Sequence, residues 1–296
     1  MKTSINVAVG ESAPPIFDSP GALGHLFRMP TVFGPASGPR NVPARRQQHR
    51  YAHDRVSLTI EASTDAVALA ALLPPRCSLA GEPVVSVSVE CLTRLGWLAG
   101  RGYNLVMIKF PNVAYAGSEG RVIGDFVAVV WESLCDSIIT GRDEIAFPKI
   151  YADIENHRIV GDSCISSASW LGFRFFDIRA TDLVAATPTA SEARASLAYK
   201  YIPMTGRWGE ADVEYMTMTT SDPNQPVPTL RSLRIGTGTF SFRQARWEDM
   251  PTQYVIVNAL SALPITRFIS AQLKSTSVGD VDSTGGGNFS GQRIVR

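Results

Sequence analysis

The sequence predicts a mainly β protein with few short helices, of the α+β class, and three observations carry that expectation. Apolar, β-branched and aromatic runs recur along most of the chain, and glycine, proline and aspartate bound them. Only one stretch reads clearly as a helix, an alanine–leucine segment. At 296 residues, 45% apolar and 19% charged, the chain can bury a sizeable core. The runs are therefore expected to close into a barrel or two packed sheets.

Residues 1–48 hold "SAPPIFDSPG" and "MPTVFGPASGPRNVPARR", where proline and glycine punctuate too often for a regular element. They are expected to form an irregular N-terminal arm, and the basic run "ARRQQHR" (44–50) to be a solvated loop. "RVSLTIEAS" (55–63) alternates as a strand. "STDAVALAALLPP" follows as a short helix, capped by Thr64 or Asp65 and stopped by proline.

Eight further runs read as strands: 83–92, 103–110, 124–133, 169–180, 197–204, 213–220, 229–242 and "YVIVNALSAL" at 254–263. One domain is expected over 49–275. Residues 276–296, with "STGGGNFSGQ" at 283–292, read as a flexible low-complexity tail. Its "NFS" sequon carries no weight without export.

A formal net charge of +1 gives no electrostatic case for nucleic acid or an anionic membrane as partner. A small molecule is the expected partner. No basic region followed by an apolar core opens the chain and no apolar run approaches ~18 residues, so the expectation is a cytoplasmic protein without a membrane span. Cys77, Cys91, Cys135 and Cys164 lie far apart with no CxxC pair, and read as buried, reduced thiols.

"VGDSCIS" (160–166) resembles the block of a lipase family whose serine needs a later histidine, but His25, His49, His53 and His157 all precede it. "GTGTF" (236–240) lacks the third glycine and following helix of a dinucleotide site, and reads as a glycine-kinked strand. With no HExxH, no phosphate loop and no metal-spaced cluster, neither cofactor nor metal is expected.

Lys149 remains. In "GRDEIAFPKI" (141–150) it follows a proline and sits between apolar residues. Burial penalises the charged form of an amine and can bring a fully buried lysine to neutrality near pH 7. The neutral amine attacks ketones, and the protonated Schiff base then accepts the electron pair of a neighbouring bond. Asp143 and Glu144 read as local capping and a surface ion pair. Tyr103, Phe110, Trp131 and Phe147 are candidates to line a pocket, with ordinary core packing the competing reading.

"ITGRDEIAFPKI" resembles the active-site segment of the acetoacetate decarboxylase family, in which a Gly-Arg-Glu stretch runs into aromatic-Pro-Lys. "MPTVFGP", "HDRVSLTIEASTD", "GDFVAVVWES", "AYKYIPMTGRWGEADVEYM" and "RIGTGTFSF" resemble other parts of that family in order, so the similarity covers residues 28–265. It implies an acetoacetate decarboxylase-like β-cone, a double-sheet barrel, with the lysine inside. It also implies a homo-oligomer acting on a small keto acid without a cofactor.

The resemblance implies that Lys149 forms the Schiff base and that Arg55 holds the substrate carboxylate, which a guanidinium grips with two parallel hydrogen bonds. Glu90, on the face reached by counting to Ser88 and stepping two residues, is the expected proton-transfer group. Asn104 and Phe147 complete the expected substrate-binding set. The chain departs from the family twice. Ile150 stands where its decarboxylases have a second lysine, and Asn104 or Leu105 where they have a second carboxylate. Decarboxylation of a β-keto acid is the first expectation. Aldol or dehydration chemistry through the same intermediate, or a non-catalytic ligand-binding protein, are the alternatives.

Overall fold

A computed structural model describes residues 28–30, 42–118, 120–188, 194–220, 226–279 and 292–295. The arm before Arg28, Glu119 and the "NFS" sequon lie outside the described residues. In chain order the strands are β1 (His53–Ser63), β2 (Cys77–Leu79), β3 (Val84–Thr93), β4 (Tyr103–Gly117), β5 (Gly120–Glu132), β6 (Lys149–Tyr151), β7 (Asp153–Ile154) and β8 (Arg158–Val160). There follow β9 (Ser163–Trp170), β10 (Phe173–Ala185), β11 (Ser196–Pro203), β12 (Ala211–Thr219), β13 (Thr229–Phe242), β14 (Arg267–Val278) and β15 (Gln292–Val295). Among the described residues three α-helices interrupt them: α1 (Ala66–Ala70), α2 (Cys135–Ile145) and α3 (Tyr254–Ser261).

The strands form one mixed sheet in the order β15-β12-β11-β5-β4-β3-β1-β14-β13-β10-β9-β7, with β2 on β4, β6 on β5 and β8 on β9. Residues from widely separated positions along that path share one core. Leu58, Val89, Ile108 and Trp131 belong to the same buried cluster as Phe175, Ile178, Cys164 and Met216, so the sheet curls around a common interior. The opposite face of β3, β4 and β5 carries a second, smaller cluster of Leu92, Leu105 and Val130, with Tyr103, Met107, Trp97 and Phe147 packed against it. Alternation along each strand separates the two faces.

α1 matches its expected position, and Asp65 supplies the cap by accepting from the Ala68 N–H. Two strand readings are corrected. "YVIVNALSAL" is helical because its buried residues Val257 and Leu260 recur at a spacing of three while Val255 is exposed. Asn258 pegs this helix through paired bonds to the Ala245 backbone. Residues 169–180 are two strands of a hairpin, turned at Leu171 and Gly172, whose positive φ values of 46° and 91° no strand adopts.

β14 and β15 use Thr276–Val278 and Gln292–Val295, residues the sequence reading assigns to the tail. The basic run forms a 3-10 turn at Ala44–His49. All four cysteines are free, but only Cys91 and Cys164 are buried as expected; Cys77 is half-buried, and Cys135, in the first turn of α2, is exposed. Among the described residues no helix is long and apolar enough to cross a membrane.

Candidate active site

α2 ends where Ala146 adopts the left-handed conformation (φ 60°), and the Phe147 N–H closes the turn on the Gly141 carbonyl at 3.1 Å. Pro148 then holds the chain extended, and Lys149 enters β6 as a parallel partner of Val130 on β5. The turn folds the helix back over the lysine it has just delivered. Arg142 of α2 donates to the Lys149 carbonyl at 3.1 Å.

Lys149 is buried, with 8% of its surface exposed. Its Nζ donates to Glu132 Oε1 at 2.6 Å and to the Ser137 carbonyl of α2 at 3.3 Å. Glu132, the last residue of β5, is fully enclosed, and its second oxygen, Oε2, has no hydrogen-bond partner. Gly141 makes this geometry possible. A Cβ there would lie 2.2 Å from Lys149 Cε, 2.4 Å from Cδ and 2.5 Å from Nζ, so the lysine occupies the space of the missing side chain.

Strand register assembles the rest. Arg55 pairs with Leu92, Leu92 with Tyr103, Glu90 with Leu105, and Leu105 with Glu132. Paired and alternate residues point to one side, so Arg55, Glu90, Tyr103, Glu132 and Lys149 share the face of the smaller apolar cluster. Arg55 Nε lies 3.4 Å from Glu90 Oε2, as an ion pair without a hydrogen bond. Tyr103, the partner of Leu92 on the same face, feels the charges of both pairs. Burial pushes its phenol well up, with the Glu132 and Glu90 carboxylates adding to the shift and Arg55 opposing it. It is therefore a neutral O–H donor at any working pH.

Of the residues expected from sequence, Lys149, Glu90 and Arg55 lie on this face, and Phe147 packs in its apolar cluster. Asn104 does not join them. It alternates with Tyr103 onto the other side of β4, where its amide donates to the Ile154 carbonyl at 3.0 Å and to Asn156 Oδ1 at 2.9 Å. Its amide is spent holding β7 against β4. Phe110 and Trp131 likewise belong to the main core, with Trp131 donating to Gln253 Oε1 at 2.8 Å. Glu144 is not a surface residue: it makes an enclosed ion pair with Arg28, tying the arm to α2.

Sequence reasoning missed Glu132 and Gly141. The one available signal for Glu132 is an acid that ends the otherwise apolar run "VAVVWE". Ile150 alternates to the main-core side and packs there, so in this register a lysine at that position would be a lone charge in an apolar interior.

The profile of the acetoacetate decarboxylase family matches residues 28–278. Among solved structures, one of acetoacetate decarboxylase is 16% identical, covers 83% of this chain and 90% of its own, and superposes with a TM-score of 0.60. The acetoacetate decarboxylase of Legionella pneumophila is 20% identical, with coverages of 78% and 87% and a TM-score of 0.57. The enduracididine biosynthesis enzyme MppR, complexed with the condensation product of pyruvate and imidazole 4-carboxaldehyde, is 14% identical, with coverages of 91% and 95% and a TM-score of 0.60. No curated protein sequence matches the chain.

Proposed function

The chain belongs to the acetoacetate decarboxylase family, and from that premise we propose that it is a Schiff-base enzyme acting on a keto acid, with Lys149 as its nucleophile. The observation that carries this reading is the setting of Lys149: enclosed, laid over Gly141, and 2.6 Å from a fully buried carboxylate. Neither a surface lysine nor a simple packing residue needs that arrangement.

In this reading the substrate carboxylate meets Arg55, whose side chain is 40% exposed and so open to a ligand, while Glu90 orients the guanidinium and assists proton transfer. The keto carbon condenses with Lys149. For a β-keto acid, carbon dioxide then leaves as the iminium takes up the electron pair, the enamine is protonated on carbon, and water releases the ketone. Phe147 and the apolar cluster around Tyr103 and Leu105 keep water away from these steps.

A second reading, aldol addition or dehydration through the same iminium, is favoured by what surrounds the amine. Activation of the lysine by burial or a cationic neighbour is established for acetoacetate decarboxylase. Here the group against Nζ is an anion, Glu132, and position 150 is isoleucine. MppR, of similar fold, is seen with a condensation product of pyruvate and an aldehyde.

Borohydride trapping tests both. The protein is incubated with acetoacetate and, separately, with pyruvate, then reduced and mapped by peptide mass spectrometry. An adduct on Lys149 is expected. Labelling by acetoacetate with release of acetone supports the decarboxylase, and labelling by pyruvate alone supports the condensing enzyme. No adduct with either would leave a ligand-binding protein as the better reading.

A further inference from the structure

We propose that Glu132 is the acid–base residue of the Schiff-base cycle, an inference that rests on Lys149 being the nucleophile. Two observations point to it. Oε1 is already within hydrogen-bond distance of the reacting nitrogen, and Oε2, on a fully enclosed side chain, has no partner. A buried carboxylate oxygen left unpaired carries a cost, and one beside a nucleophile has a use when a substrate hydroxyl arrives.

The proton count closes on this one group. Lys149 in its ammonium form passes one proton to Glu132, which frees the nitrogen lone pair. The amine adds to the keto carbon, its C–O double bond opens, and a second nitrogen proton moves to the new alkoxide, giving a neutral carbinolamine. Glu132, now a carboxylic acid, returns its proton to that hydroxyl, and the C–O bond breaks as water departs. The nitrogen lone pair closes the C=N bond, and the iminium keeps the third proton. The cation on nitrogen again faces a carboxylate, so the enclosed site starts and ends as a neutral pair.

The other titratable groups around the pair do not compete at the nitrogen. Tyr103 on β4 holds its proton, Arg142 on α2 donates to the Lys149 carbonyl, and Glu90, ion-paired with Arg55, is separated from Glu132 by Leu105 in the strand register, which leaves it the later transfer to carbon.

Glu132→Gln separates a catalytic Glu132 from a merely structural one by moving two measurements in opposite directions. Without its countercharge, a buried ammonium is disfavoured, so arylation of Lys149 by trinitrobenzenesulfonate shifts to lower pH than in the unmodified protein. Borohydride trapping with the labelling keto acid slows by about 100-fold, the lower range for removal of a general acid–base group. The variant is expected to fold, because a neutral amine beside an amide leaves no lone charge. Glu132→Asp, which keeps the charge but withdraws the carboxylate by one methylene, serves as the second variant. It is expected to trap slowly while its arylation profile stays near that of the unmodified protein.

Faster arylation with trapping as fast as before would overturn the proposal. So would a Glu132→Asp variant that traps at the original rate. Absence of any Lys149 adduct in the unmodified protein would instead overturn the Schiff-base reading, and this proposal with it.

Discussion

Lys149 and Glu132 are 17 residues apart in the chain and 2.6 Å apart at their tips, both enclosed by β5, β6 and α2. A buried ion pair is costly to break from one side only, by about 3–5 kcal/mol, because the remaining charge has no solvent to turn to. Lys149→Met is therefore expected to abolish trapping and also to destabilise the fold by roughly that amount. Adding Glu132→Gln to it removes the stranded carboxylate and should recover most of the loss. Urea unfolding of the two single variants and the double variant measures this, and additive losses would show that the pair is not coupled.

Gly141→Ala tests the packing of the lysine. Alanine is the better helix former by about 1 kcal/mol, yet its Cβ would fall within 2.2–2.5 Å of three Lys149 atoms. The lysine has to leave its groove. A trapping rate at least about tenfold lower is expected from the misplaced nucleophile, with secondary structure unchanged by circular dichroism. A variant that traps normally would mean Lys149 reacts from some other rotamer.

Arg55→Gln separates carboxylate binding from Schiff-base formation. Loss of charge-assisted hydrogen bonds to a carboxylate costs about 1.5–3 kcal/mol, so KM for a keto acid should rise about ten- to a hundred-fold. Trapping of acetone, which has no carboxylate, should be unaffected. Equal losses with acetone and the keto acid would assign Arg55 to maintenance of the site.

Arg55 and Glu90 are expected only through the family resemblance, and Lys149 also from its apolar setting after a proline; the structure carries the first two to one face by the period of two of their long strands, and the third by an extended entry into β6. Glu132 is not legible in the same way. Its partner is determined by the turn at Ala146 and the parallel pairing of β6 with β5, neither of which leaves a pattern in residue types. Asn104 fails in the other direction, since one step along β4 from Tyr103 carries it to the opposite face. In 254–263 an apolar run long enough to be a strand is a helix, and what distinguishes the two is that Val255 is exposed while Gln253 and Val257, two residues to either side, are buried.

Asn104→Ala follows from that face. It strands the Ile154 carbonyl and Asn156 Oδ1, which Asn104 now satisfies, and should cost about 1–3 kcal/mol of stability. KM and the pH profile of trapping should not change. A rise in KM without a loss of stability would restore the substrate-binding role expected from sequence.

His157 provides the pH dependence. Burial holds its imidazole below the ordinary histidine range, although contacts with the Val56 and Val89 backbone and the charge of Glu90 pull the other way. Its Nε2 lies 3.3 Å from the Val56 carbonyl on β1. As pH falls through about 6.5, the unfolded chain binds a proton at this position before the folded one does. Stability is therefore fully present above that pH and declines below it until the folded histidine also protonates. His53, whose charged form is likewise disfavoured by burial, acts with the same sign. Tm is expected to fall between about pH 7.5 and about pH 5.5, a window above the carboxylate range, and His157→Gln should make the slope shallower while His53 maintains the remainder. An identical slope in the variant would mean that His157 protonates without cost in the folded state, and that the groups responsible lie elsewhere in the sheet.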